Sequence, residues 1–182
     1  MTHASSGDGK PARTADLDVS INRSPSAESC KFTDLFLGFD RVGAVRKIFG
    51  SDSRAVLEST TVRLVQGTGY LRVDNETGDI LVCEPYLKSA DERHFYLDLI
   101  HELVHVRQHH EGKELYDRRF SYVDRPTEIE AYVLTVGEAR RIGMTEEEIV
   151  DYLNVEWVGK EDFERLLRAV GIGEAASAAQ DT

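Results

Sequence analysis

The sequence predicts an α+β fold, and three observations carry that expectation. Three short segments rich in β-branched and aromatic residues, Thr61 to Gln66, Tyr70 to Asp74 and Asp79 to Glu84, are separated by the turn sequences Gly67-Thr68-Gly69 and Asn75-Glu76-Thr77-Gly78. Helical spacing comes before them, in Val42, Val45, Ile48 and Phe49, and returns after them for most of the remaining chain. Strands grouped together and helices grouped together point to α+β rather than to an alternating α/β order.

The elements follow in order. Residues 1–30 are rich in Ser, Ala, Gly and Asp with few large apolar side chains, so they are expected to be a disordered tail, as are residues 174–182, leaving 31–173 as one domain. Asp40 to Gly50 has an acidic start and a glycine stop around its apolar positions, and Ser53 to Ser59 adds another helical turn or two. The three strand segments are expected to form an antiparallel meander, with either Tyr70 to Val73 or Asp79 to Cys83 at the edge. A long helix is expected from about Asp91 to Glu111, capped by Ser89 or Asp91 and stopped by Gly112. A second begins at Pro126-Thr127 and ends by Gly143. Thr145 with Glu148 forms a capping box for a helix to about Leu153. The last runs from Asp162 to Val170, with Phe163, Leu166, Leu167 and Val170 on one face and Gly171 as its stop. Trp157 and Val158, between the last two, are expected to close the core.

The chemistry is concentrated at His101-Glu102-Leu103-Val104-His105. On a helix, positions i and i+4 share a face, so His101 and His105 can both ligate one zinc ion, while Glu102 reaches a water on that ion. Zinc lowers the pKa of such a water to roughly 7, and a carboxylate within hydrogen-bond reach can take its proton during attack on a carbonyl. A catalytic zinc needs a third protein ligand and an open position. His109 lies on the same stripe but about 6 Å further along the axis, too far to complete the site, and it reads as a solvated residue near the helix end. Glu128 and Glu130, two apart on the following helix, point to opposite sides, so only one suits the metal. Glu128 is preferred, because Ala131 one turn on would let the two helices approach closely. Tyr122, Arg125 and Tyr132 are near in sequence as donors to a developing oxyanion, but none has a motif and each reads more simply as structural.

At these residues the chain resembles the gluzincin metallopeptidases, in which two histidines of the helix motif and a glutamate from a following helix hold zinc. Glu128-Ile129-Glu130-Ala131-Tyr132 is similar to the Glu-x-Glu-Ala-Asp stretch of many members, with Tyr132 standing where an acid or amide often occurs. The size resembles the small soluble minigluzincins and their selecase-like relatives, and the ImmA/IrrE-type repressor proteases nearly as well. The resemblance implies a zincin-like fold over about Phe32 to Gly173: a backing helix, a small antiparallel three-stranded sheet, an active helix, a glutamate helix and a helical C-terminal part. It implies a zinc-dependent endopeptidase with His101, His105 and Glu128 as ligands and Glu102 as general base and acid. The alternative is a zinc-stabilised regulatory or interaction module that turns over nothing.

Composition narrows the partners. A net charge of −11 opposes binding to nucleic acid or an anionic membrane, which are reached through basic surfaces, so a peptide or protein substrate is the expected partner. No basic region followed by an apolar stretch opens the chain, so the expectation is a soluble cytoplasmic protein. Cys30 and Cys83 are not spaced as a metal-binding pair and read as reduced thiols.

Overall fold

The computed structural model describes residues 17–173 and shows mixed α and β structure with small sheets. The chain starts with β1 (Ser20–Ile21) and β2 (Ser29–Lys31), followed by a one-turn helix α1 (Phe32–Leu35) and β3 (Phe36–Leu37). A 3-10 turn at Phe39–Arg41 leads into α2 (Gly43–Phe49), and a second at Gly50–Asp52 into α3 (Ser53–Ser59). Then come β4 (Thr61–Val65), β5 (Leu71–Val73), β6 (Ile80–Cys83), α4 (Glu84–Ser89) and the long α5 (Glu92–His110). A final group comprises α6 (Pro126–Arg141), α7 (Glu146–Leu153) and α8 (Lys160–Ala169).

The disordered tail expected over 1–30 is corrected for its second half. Leu17, Val19 and Ile21 alternate with exposed Asp18 and Ser20 and pack on the core, a period-two pattern that makes a half-buried strand. β1 pairs with β3, and β2 pairs with β4. Arg23 pins the connection by donating to the carbonyls of Leu87 and Ala90 at 2.8 and 2.9 Å, at the end of α4. The remainder of that tail, 1–16, and the other, 174–182, lie outside the described residues.

The three expected strands exist, but the antiparallel meander is also corrected. The four-stranded sheet has the order β2-β4-β6-β5, with β4 parallel to β6 and β5 antiparallel to β6 on its other side. All four residues of β6 are buried, as in a strand covered on both faces, whereas β5 exposes Arg72. The chain therefore steps from β4 past the place of β6 to the edge and returns by a hairpin. That puts the edge at Leu71–Val73 and not at Asp79–Cys83.

Helix α5 runs through the middle of the molecule against α2, α6 and β5. Almost every residue from Phe95 to Val106 is buried, so this helix is covered all round. Asp91 caps it by accepting from the amides of Arg93 and His94, and Gly112 leaves it with φ of +72°, a conformation costly for any side chain with a Cβ. Phe32, Phe36 and Phe39 pack edge to face beneath it, and Phe36 meets Phe95 of the helix with tilted rings. Helix α6 faces α5 with Ala131, Thr135 and Ala139, all fully buried and one turn apart, a small-residue stripe that permits close approach. Two other expectations change. Trp157 does not close the core but is 55% exposed, and His109 is half-buried with its ring against Gly78 rather than solvated. Among the described residues no helix is long and apolar enough to cross a membrane.

Candidate metal centre

Residues His101, His105 and Glu128 converge in the structure as the only group of three such ligands among the described residues that could hold a metal ion. All three are buried. The Nε2 atoms of the two histidines stand 3.0 Å apart, and Glu128 Oε2 lies 3.2 Å from His101 Nε2 and 3.6 Å from His105 Nε2. Zinc–ligand distances of about 2.0–2.1 Å at tetrahedral angles separate ligand atoms by about 3.3 Å, so this triangle has the edge lengths such an ion requires. Glu128 Oε2 is otherwise buried without a hydrogen-bond partner. Three electron-pair donors facing one another in a buried space repel unless a cation stands between them, either a metal ion or the proton that His105 takes up without one.

The local sequence explains how the triangle is built. One helical turn on α5 stacks the two imidazoles, with ring centroids 4.7 Å apart. Pro126 opens α6 in its first turn, and Thr127 Oγ1 donates to the carbonyl of Leu115 at 3.2 Å, fixing the entry of that helix. Glu128 thus sits on the first turn of α6 beside the motif. The imidazoles outweigh the effect of burial and hold its carboxyl below the usual carboxylate range. Burial pulls His105 down, but hydrogen bonding to Glu128 and the charges of Glu102 and Glu128 outweigh it and raise its pKa to about 9.

A second layer orients His105. Gln108, fully buried, donates through Nε2 to the carbonyl of Thr127 at 3.0 Å and to Glu130 Oε2 at 2.7 Å. That fixes its amide so that Oε1 faces His105 Nδ1 at 2.7 Å, which must then carry the proton and leave Nε2 as the lone-pair donor. Glu130, the alternative third ligand, instead takes Gln108, Arg107 and Lys113. No sequence motif marks Gln108; the available signal was its position three residues after His105, on the same face of the helix. His101 lacks such support: its Nδ1 is buried without a partner, and Tyr132, at the position where the resemblance implies an acid or amide, packs on its ring at 4.5 Å between centroids.

Glu102 is 7% exposed, with Oε2 buried and unpartnered. Burial raises its pKa, opposed by His105 and His101. It lines, with His101, a cavity of about 280 Å³. Tyr122 and Tyr132 line the same cavity, with their hydroxyl oxygens 2.7 Å apart, so two of the residues read as structural stand in the site. Arg125 does not line it; its guanidinium lies over the Tyr122 ring. Cys30 is on β2, at the opposite edge of the sheet from β5, and Cys83 is buried with its thiol donating to the carbonyl of Gly67. Comparison with known proteins adds no relative: no protein-family model, curated protein or solved structure matches the chain.

Proposed function

We propose that this protein is a zinc-dependent endopeptidase of the gluzincin type, with a zincin-like arrangement of active helix and glutamate helix. The observation that carries the reading is the buried His101–His105–Glu128 triangle, of which His101 lines a cavity together with Glu102. Two imidazoles and one carboxylate suit zinc, and three protein ligands leave a position for chemistry. Zinc bound there supplies a Lewis acid that polarises a carbonyl and makes a water acidic.

The remaining steps belong to the chain. Glu102 accepts the proton of the attacking water and passes it to the departing amine. Tyr122 and Tyr132 are kept protonated by burial; one hydroxyl donates to the other, and the accepting one is left to offer its O–H to the oxygen that gains charge as the carbonyl carbon becomes tetrahedral. β5 supports an extended substrate. The hydrogen bonds of Tyr70 and Asp74 to the β6 side leave the backbone N–H and C=O groups of Leu71 and Val73 directed away from β6. The Val73 carbonyl is taken by the Tyr116 hydroxyl, whereas Leu71 borders the cavity, where a peptide could add as a strand.

The test joins metal content to turnover. Elemental analysis of the dialysed protein is expected to give one zinc per chain in the wild type, in Glu102→Gln and in Glu130→Ala, and loss of zinc in Glu128→Ala. Glu102→Gln is expected to lower the rate of peptide cleavage by roughly 10²–10⁴. Absence of bound zinc, or undiminished cleavage by Glu102→Gln, refutes the proposal; zinc without cleavage of any peptide would leave the metal as a structural tie.

A further inference from the structure

The cavity beside Glu102 has a wall composition that the peptidase chemistry does not require. Its aromatic side is made by Tyr70, Tyr86 and Trp157, with Tyr70 4.8 Å from Tyr86 and 5.2 Å from Trp157 between ring centroids. Among these rings the lining carries three acids, Asp98, Asp151 and Glu156. The lining contains no lysine or arginine, and none of these three acids forms an ion pair among the described residues. Asp98 lies on α5 one turn before His101 and Glu102, and its oxygens accept from the hydroxyls of Tyr86 at 2.6 Å and Tyr152 at 2.8 Å. Each carboxylate oxygen has a second lone pair, so the two tyrosines hold Asp98 in place without using up its capacity to accept.

We infer that this cavity is a specificity pocket for a cationic side chain, arginine or lysine, of the peptide substrate. Aromatic faces attract a cation through their quadrupole, and the attraction grows where water is excluded. A carboxylate fixed within such a wall supplies the charge partner, and planar guanidinium can both stack on the rings and donate to Asp98. Asp151 and Glu156 are exposed near the mouth, where they favour entry of positive charge, in the same sense as the net charge of −11. A pocket for an apolar side chain would gain nothing from three carboxylates, and a pocket for an acidic one would be opposed by them. Glu102 lines the same cavity and its Oε2 is unpartnered, which places the proposed reacting centre at the cavity wall. The inference rests on the peptidase reading for the peptide that bears the cation, but the pocket can be tested by binding alone.

Trp157 is the sole tryptophan of the chain and stands in the pocket wall, so its fluorescence reports occupancy. The full-length, zinc-loaded protein is titrated with N-acetylated, C-amidated alanine peptides carrying one central arginine, citrulline, phenylalanine or glutamate, and with a free-amine alanine peptide. The arginine peptide is expected to give a saturable change and to bind roughly tenfold more tightly than the citrulline peptide, the size of effect expected for one partly desolvated charge contact. Asp98→Asn is expected to abolish that preference. Glu156→Gln, on an exposed loop where folding is not at stake, is expected to reduce it by about two- to threefold, consistent with a screened charge. Equal binding of arginine and citrulline, tighter binding of phenylalanine or glutamate, no saturable change with arginine, or binding that requires a free amino terminus each overturns the inference. Cleavage is followed separately by mass spectrometry. Arginine-selective binding without cleavage would sink the peptidase and leave the pocket standing, and cleavage indifferent to arginine would do the reverse.

Discussion

Gln108 decides which nitrogen of His105 faces Glu128, although it has no part in the His-Glu-x-x-His motif. Replacing it with leucine removes the acceptor for His105 Nδ1 and the side-chain donor to the Thr127 carbonyl, and leaves Glu130 to Arg107 and Lys113. Gln108→Leu is expected to weaken zinc binding by about 10- to 100-fold, measured by competition with a chromogenic chelator. A second expectation concerns protons. His105 in the metal-free chain titrates near 9, above the ordinary value of 6.5, so at pH 7 it holds a proton that a metal must displace. Zinc binding at pH 7 should release close to one proton from this group, and affinity should rise with pH until about 9; calorimetry in buffers of different ionisation enthalpy measures it. The same shift stabilises the metal-free fold fully below the unfolded pKa, and that contribution is lost as pH rises through 9. Reading the motif gave His101, Glu102 and His105 directly, because helical spacing alone brings them together. It could not give the orientation of His105, which depends on a backbone carbonyl from α6.

The longer helices were legible, whereas the short α1 and α4 and the strand order were not, for a physical reason. Helix ends are written locally: Asp91 accepts from the amides that follow it, Thr145 and Glu148 exchange hydrogen bonds across one turn, and Gly112 and Gly143 take positive φ beyond α5 and α6. A strand segment, by contrast, shows only which residues alternate, and its neighbour is chosen by coverage. Ile80-Leu81-Val82-Cys83 became interior because it is covered on both faces, and this pushed β5 to the edge beside the cavity. The contact of α5 with α6 yields a prediction at the same scale. Ala131 is fully buried on the small-residue stripe, so Ala131→Leu is expected to overpack the contact, cost about 1–3 kcal/mol in urea unfolding, and weaken zinc binding by displacing Glu128. Val133→Leu, on the half-exposed side of the same helix, should change stability by less than about 0.5 kcal/mol.

Across the whole molecule, the two imidazoles come from one helical turn while the carboxylate arrives from another helix, after the connection through Tyr116 and Leu115 has closed on β5 and α6. The histidine half of the triangle can exist wherever α5 is helical, but Glu128 joins it only when α5 and α6 are docked. An ion held across that seam therefore leaves by way of the seam. Its dissociation should keep time with the opening of the two helices, so that the slowest-exchanging amides in the first turns of α6 and the release of zinc share one temperature dependence. The metal would then serve as a clock for a local opening event, and each substitution that loosens the seam, Ala131→Leu among them, should shorten both times by the same factor.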